Sequence, residues 1–203
     1  RGTWQSATSR RKYFDWLGEQ SGVKQLDDWY SVLTTKLLQD NYGATLLEIY
    51  HSPSKVLMET YPEHKWLPWR FKATPARYWS SLDNQRQFFD WLGSELGVKE
   101  LDNWYSVLNM KTIHEYGGTG FLRAYGGSPI EALKTVYPEH KWMLWKFNLT
   151  QHGFWKSVQN QRHYMDWLGN QLGVQEMNDW YSLLDSRAIR KHGGGRIVGM
   201  YNG

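Results

Sequence analysis

Glu63-His64 and Glu139-His140 set a carboxylate beside an imidazole twice in one chain. Such a pair can shuttle a proton or hold a metal ion when both side chains reach one centre. Sequence neighbours need not point the same way, and nothing completes a site around them. The chain has no HExxH, no GxSxG elbow and no metal triad. Its seven His lack metal-ligand spacing, and the absence of Cys excludes thiol nucleophiles, thiolate zinc sites and disulfides. The Gly-rich strings YGGTG, YGGSP and HGGG never continue into the GK[ST] of a P-loop, so they read as turns and helix ends. No catalytic residue, metal or cofactor is expected, and a non-enzymatic role is favoured.

Charge offers the other chemistry. The 24 Lys and Arg exceed the 20 Asp and Glu by a net +4, with a pI near 9.1, which permits a nucleic-acid partner without requiring one. Arg11, Arg86 and Arg162 recur near the start of a long helix, and Lys36, Lys111 and Arg187 near the start of the helix after each WYS string. Basic groups at fixed intervals can track a phosphate backbone. The plainer alternative is that they pair with nearby acids, including Asp15, Asp90 and Asp166. The densest patch is Arg187, Arg190, Lys191, His192 and Arg196.

The Glu-His pairs lie in two longer strings, YPEHKWLPWRF at 61–71 and YPEHKWMLWKF at 137–147, identical at eight of eleven positions. The leading reading is a structural clasp. Trp66 and Trp69, like Trp142 and Trp145, are expected to fold back over the helices of their own unit, with Phe71 and Phe147 closing the core. The competing reading is a stacking platform for bases, flanked by Lys65, Lys141, Arg70 and Lys146.

The strings belong to a larger repetition. RRKYFDWLGEQSGVKQLDDWYSVL (10–33), NQRQFFDWLGSELGVKELDNWYSVL (84–108) and NQRHYMDWLGNQLGVQEMNDWYSLL (160–184) align almost without adjustment. Trp16, Trp91 and Trp167 stand 75 and then 76 residues apart, as do Trp29, Trp104 and Trp180. These tryptophans, with Trp66 and Trp142, are the candidate structural aromatics. The expected units are 1–71, 72–147 and 148–203, the last stopping at MYNG and read as a truncated copy.

Each copy patterns as short helices with little or no sheet. Leu82–Leu96 places Phe88, Trp91, Leu92 and Leu96 on one stripe, with Ser81 or Asp83 to cap it and Gly97 to end it. Gly93 within it marks a close contact. An irregular segment with a short helical turn follows over 98–107, then helices near 109–116, 119–125 and from Pro129 to before Pro138. The expected fold is all-α: tandem repeats of about 75 residues, each a small bundle of short helices closed by a Trp-rich segment.

Residues 111–138 also fit a helix-turn-helix. The stretch LRAYGGSPIEALKTVYP resembles the small helical repeats found beside homing endonuclease domains, which carry a Gly-Ser turn before an "AL" helix. The resemblance implies that Ser128 caps the second helix and that the exposed face of 129–136 meets a DNA duplex. The first copy departs from the pattern with YHSPSKVLMETYP, and the third lacks the helix. The near-neutral charge of 129–136 argues against base readout there.

The sequence therefore favours a nucleic-acid-binding module, DNA before RNA, held mainly through phosphates. A protein-interaction array and an accessory region of a larger nucleic-acid enzyme are the alternatives. No run is apolar enough for a membrane span, and the absence of Cys fits an intracellular protein, with nucleus or organelle open.

Overall fold

The structure, a computed structural model, describes residues 3–148 and 153–201, so the last residues of the terminal MYNG and residues 149–152 lie outside it. Among the described residues every regular element is helical. In chain order the α-helices are α1 (Ala7–Ser21), α2 (Trp29–Val32), α3 (Thr35–Asp40), α4 (Ala44–Tyr50), α5 (Pro53–Thr60), α6 (Leu82–Glu95) and α7 (Trp104–Val107). They continue with α8 (Met110–Glu115), α9 (Thr119–Leu122), α10 (Pro129–Val136), α11 (Val158–Leu172), α12 (Trp180–Leu183), α13 (Ser186–Lys191) and α14 (Gly195–Met200). Short 3-10 turns join several of them, among them Pro68–Arg70 and Leu144–Lys146.

Local chemistry sets the helix ends. The Ser6, Ser52, Ser128 and Ser157 side chains each accept a backbone N–H from the first turn of the helix they open. Ser81 accepts the Asn84 N–H at 3.4 Å at the start of α6. Pro53 and Pro129 follow their serines at positions where a missing N–H costs nothing. Each long helix carries a glycine against which a tryptophan packs edge-on. A Cβ at Gly18, Gly93 or Gly169 would stand 3.3, 3.2 or 2.9 Å from Trp29, Trp104 or Trp180, respectively. The contact marked by Gly93 is thus with the tryptophan of the irregular segment.

The chain divides into two compact units. One holds residues up to Leu92 together with Met110–Tyr137, and the other Gly93–Asn109 together with residues from Pro138 onward. In the first, Phe14, Leu17, Trp29, Leu38, Leu46, Val56 and Leu57 form a dry core that Tyr61 and Phe71 close. A second set of buried rings in the same unit comprises Phe88, Phe89 and Phe121. In the second unit, Phe154, Trp155, Tyr164, Leu168, Ile197 and Val198 form the core. Aromatic clusters supply most of the large buried side chains in a chain of mostly short helices, where aliphatic area alone is scarce.

Candidate nucleic-acid interface

The opening strings pack as clasps, with the same contacts in both places. Tyr61 and Tyr137 each donate a hydroxyl hydrogen bond of 2.6 Å to an acid of the long helix, Asp15 and Asp90. Tyr30 and Tyr105 each accept a backbone N–H, from Leu67 at 2.7 Å and Met143 at 2.8 Å. Trp66 and Trp142 pack edge-on against those same tyrosines at 5.6 Å, and Phe71 and Phe147 cover them at 4.7 and 4.8 Å. The histidines are consumed in this packing. His64 and His140 Nε2 each lie 3.0 Å from Asp27 and Asp102, off the line of a hydrogen bond. Glu63 bonds Arg11, which holds its carboxyl below the usual range. The two members of the Glu63-His64 pair thus serve separate partners, and among the described residues no group of three His, Asp or Glu is placed to hold a metal.

One expectation fails. Trp69 and Trp145 do not fold back over their own segment. Trp69 and Trp145 sit within the 3-10 turns Pro68–Arg70 and Leu144–Lys146, and each packs onward on rings later in the chain. Trp69 packs on Phe88 at 5.5 Å and Trp91 at 5.3 Å, and Trp145 on Tyr164 at 5.6 Å and Trp167 at 5.5 Å. Each also lays its carbonyl against a glycine in left-handed backbone, Gly117 and Gly193, both at φ +85°. The corresponding position of the first segment is Tyr42, at φ +67° and 84% exposed.

The candidate cations sort into two groups. Arg11 bonds Glu63 and lies over the Tyr61 ring at 4.8 Å. Arg86 donates to the Val136 carbonyl at 3.2 Å and lies over the Tyr137 ring at 4.6 Å. Lys36 pairs with Asp40 at 2.8 Å and Lys111 with Glu115 at 3.7 Å, each one helical turn along. Arg162, Arg187, Arg190 and Lys191, by contrast, are exposed and carry no ion pair among the described residues. Arg196 is also exposed. The cause is legible on α13: where α3 and α8 carry Asp40 and Glu115, α13 carries Lys191, so Arg187 faces a like charge. Ser128 accepts the Glu131 N–H at 3.2 Å as a helix cap. On α10, which follows it, four of eight residues are buried, and Lys134 pairs with Glu131 at 3.0 Å.

Beside α13 lies a groove of about 490 Å³, lined by Tyr105, Trp145, Lys146, Trp167, Lys191 and His192. Its floor is aromatic and its rim basic. Lys146 Nζ stands 5.3 Å from the Tyr105 ring centre and 5.9 Å from that of Trp167, with Asp102 at 3.8 Å. The candidate structural aromatics differ in burial. Trp29 and Trp104 are fully buried, Trp66, Trp91, Trp142, Trp167 and Trp180 are half-buried, and Trp16 is 40% exposed.

Reading the sequence alone did not single out Tyr105, Trp145 or Lys146 as a shared groove, because they meet Trp167 and His192 only through long-range packing. The acid-to-base change at Lys191 was available as a signal by comparing 36–40, 111–115 and 187–191. No helix among the described residues is long and apolar enough to cross a membrane. No protein-family model, curated protein or solved structure matches the chain.

Proposed function

We propose that the chain is a non-enzymatic row of helical repeats of about 75 residues that binds nucleic acid, DNA before RNA, mainly through phosphates. The observation that carries this reading is the basic-rimmed aromatic groove with the unpaired cations of α13 beside it. Arg187, Arg190 and Lys191 are the phosphate contacts, since a cation without an acidic partner gives up nothing internal to bind an anion. The ring faces of Trp145 and Trp167 suit an unpaired base, worth about 1–3 kcal/mol per stacked base. Arg11, Arg86, Lys36 and Lys111 are structural in this reading.

The test is fluorescence anisotropy of labelled duplex DNA, single-stranded DNA and RNA as salt rises from about 50 to 200 mM. Binding should weaken steeply with salt. Arg187→Ala should lower the slope against log salt by about 1, and Lys191→Glu, which restores the acid of the other copies, should abolish most of the affinity. Lys36→Ala should change neither. A chain that binds none of the three at micromolar concentration, or binds equally after Lys191→Glu, sinks the reading.

A protein-interaction array is the second reading. The internal pairing of Arg11 and Arg86 favours it, because two of the three matched arginines are committed to the clasp rather than to an outside anion.

A further inference from the structure

His192 lines the basic-rimmed groove and caps the end of α13, with its ring edge-on to Trp167 at 5.9 Å. Its Nδ1 lies 2.8 Å from the Ala188 carbonyl. A carbonyl can only accept, so Nδ1 carries a hydrogen and donates it. Asn41, at the matching position of the first segment, makes the same bond four residues back, from its side-chain amide to the Leu37 carbonyl at 2.9 Å. Tyr116 holds the position in the second segment, edge-on to Trp91 at 5.7 Å. Neither an amide nor a phenol changes charge near neutrality, whereas an imidazole does.

The bond to Ala188 fixes the ring and leaves Nε2 as its second nitrogen, without a partner among the described residues. Unprotonated, Nε2 offers a lone pair, which repels a phosphate oxygen. Protonated, it is a positively charged donor suited to a charge-assisted bond with that oxygen. The surroundings hold nothing else to take such a charge. Lys191 and Lys146 are cations, and Tyr105 is a phenol that burial keeps neutral. The nearby acid, Asp102, already lies 3.0 Å from His140 and 3.8 Å from Lys146. Among the described residues the lining has no carboxylate, and Arg162, His163 and Asp166 of α11, Arg187 and Arg190 of α13 and Arg196 of α14 stand outside it.

We propose that the groove takes up nucleic acid together with one proton, and that His192 carries it. The imidazolium Nε2–H donates to a phosphate oxygen that Lys191 and Lys146 also face, and the proton comes from solvent. Three basic groups without an acid among them repel one another, and the phosphate relieves that repulsion as it binds. This proton contact rests on the groove being the nucleic-acid site, and it makes the affinity of that site rise as pH falls.

The probe is a rhodamine-labelled oligothymidylate, alone and paired with oligoadenylate, titrated with the full chain and followed by anisotropy. Affinity should rise about tenfold between roughly pH 8 and roughly pH 5.5, the range in which imidazole gains its charge. The slope against log salt should steepen by about 1 over the same range, for one further phosphate contact. His192→Asn keeps the kind of bond that Asn41 makes, so it should bind like the parent at the alkaline end and gain nothing on acidification. His163→Asn, at an exposed position outside the groove lining, should keep the full rise. Binding that responds to salt but not to pH, or a rise that His192→Asn retains, overturns the proton contact and leaves the groove as the nucleic-acid site. Absence of binding to either probe at every pH overturns both.

Discussion

The main-chain carbonyl of Trp69 rests so close to Gly117 that a Cβ there would stand 2.5 Å from its oxygen. Gly117 also sits at φ +85°, where a side chain is strained even in open space. Gly97, at φ +72°, has nothing within 4 Å of its would-be Cβ. Gly97→Ala should therefore lose only the backbone strain, about 1 kcal/mol, whereas Gly117→Ala should lose about 3 kcal/mol or more as the carbonyl is displaced. Urea unfolding of the two variants decides it. Equal losses would mean that the Trp69 contact yields freely.

Trp69 is nearly fully buried, with its indole N–H lacking a hydrogen-bond partner. Its ring packing must outweigh that unpaired donor. Trp69→Ala should cost about 3–5 kcal/mol, and Trp69→Phe distinctly less, because it removes the unpaired donor with part of the ring area. Paired unfolding curves for the two variants, with the native helical circular dichroism as a check on fold, measure the difference.

Tyr61 and Tyr137 each tie a clasp to an aspartate of the long helix by a 2.6 Å bond. Tyr137→Phe keeps the ring and removes the bond, with an expected loss of about 1.5–3 kcal/mol. Asp90→Asn should lose less, since an amide oxygen still accepts. Should Tyr137→Phe prove neutral, the clasp is held by its apolar contacts alone.

Burial pushes the phenols of Tyr13, Tyr78 and Tyr164 up to about 12. Burial and the bond to Asp15 raise Tyr61 as well. The folded chain thus prefers these phenols neutral, while the unfolded chain ionises them near pH ~10. Their contribution is complete below that pH and is lost as pH rises from about 10 toward 12. Urea midpoints should be insensitive to these groups near neutrality and fall in that alkaline window. Tyr164→Phe, which cannot ionise, should show a shallower alkaline fall than the parent.

Helix positions were legible because their signals are local. Ser128-Pro129 before α10 and Gly97 after α6 declare their ends within a few residues. The clasp residues were legible as a set, since the string is written twice, and Trp66 and Trp142 pack as that repetition suggests. The direction of Trp69 was not, because it depends on how one 3-10 turn is oriented by contacts on Phe88 and Trp91. Nor was the fate of Arg11, whose partner Glu63 lies 52 residues along the chain. Distinguishing a committed cation from a spare one required knowing which acid had come to meet it.

Tyr42 sets the turn of the first segment apart from its two counterparts. A segment with glycine at this position, as at Gly117 and Gly193, can receive the tryptophan of the segment before it and offer its own to the next. A segment with Tyr42 can offer but not receive, because the Cβ and ring occupy the place of the incoming carbonyl. The residue at this turn therefore decides whether a neighbouring main-chain carbonyl can settle against it.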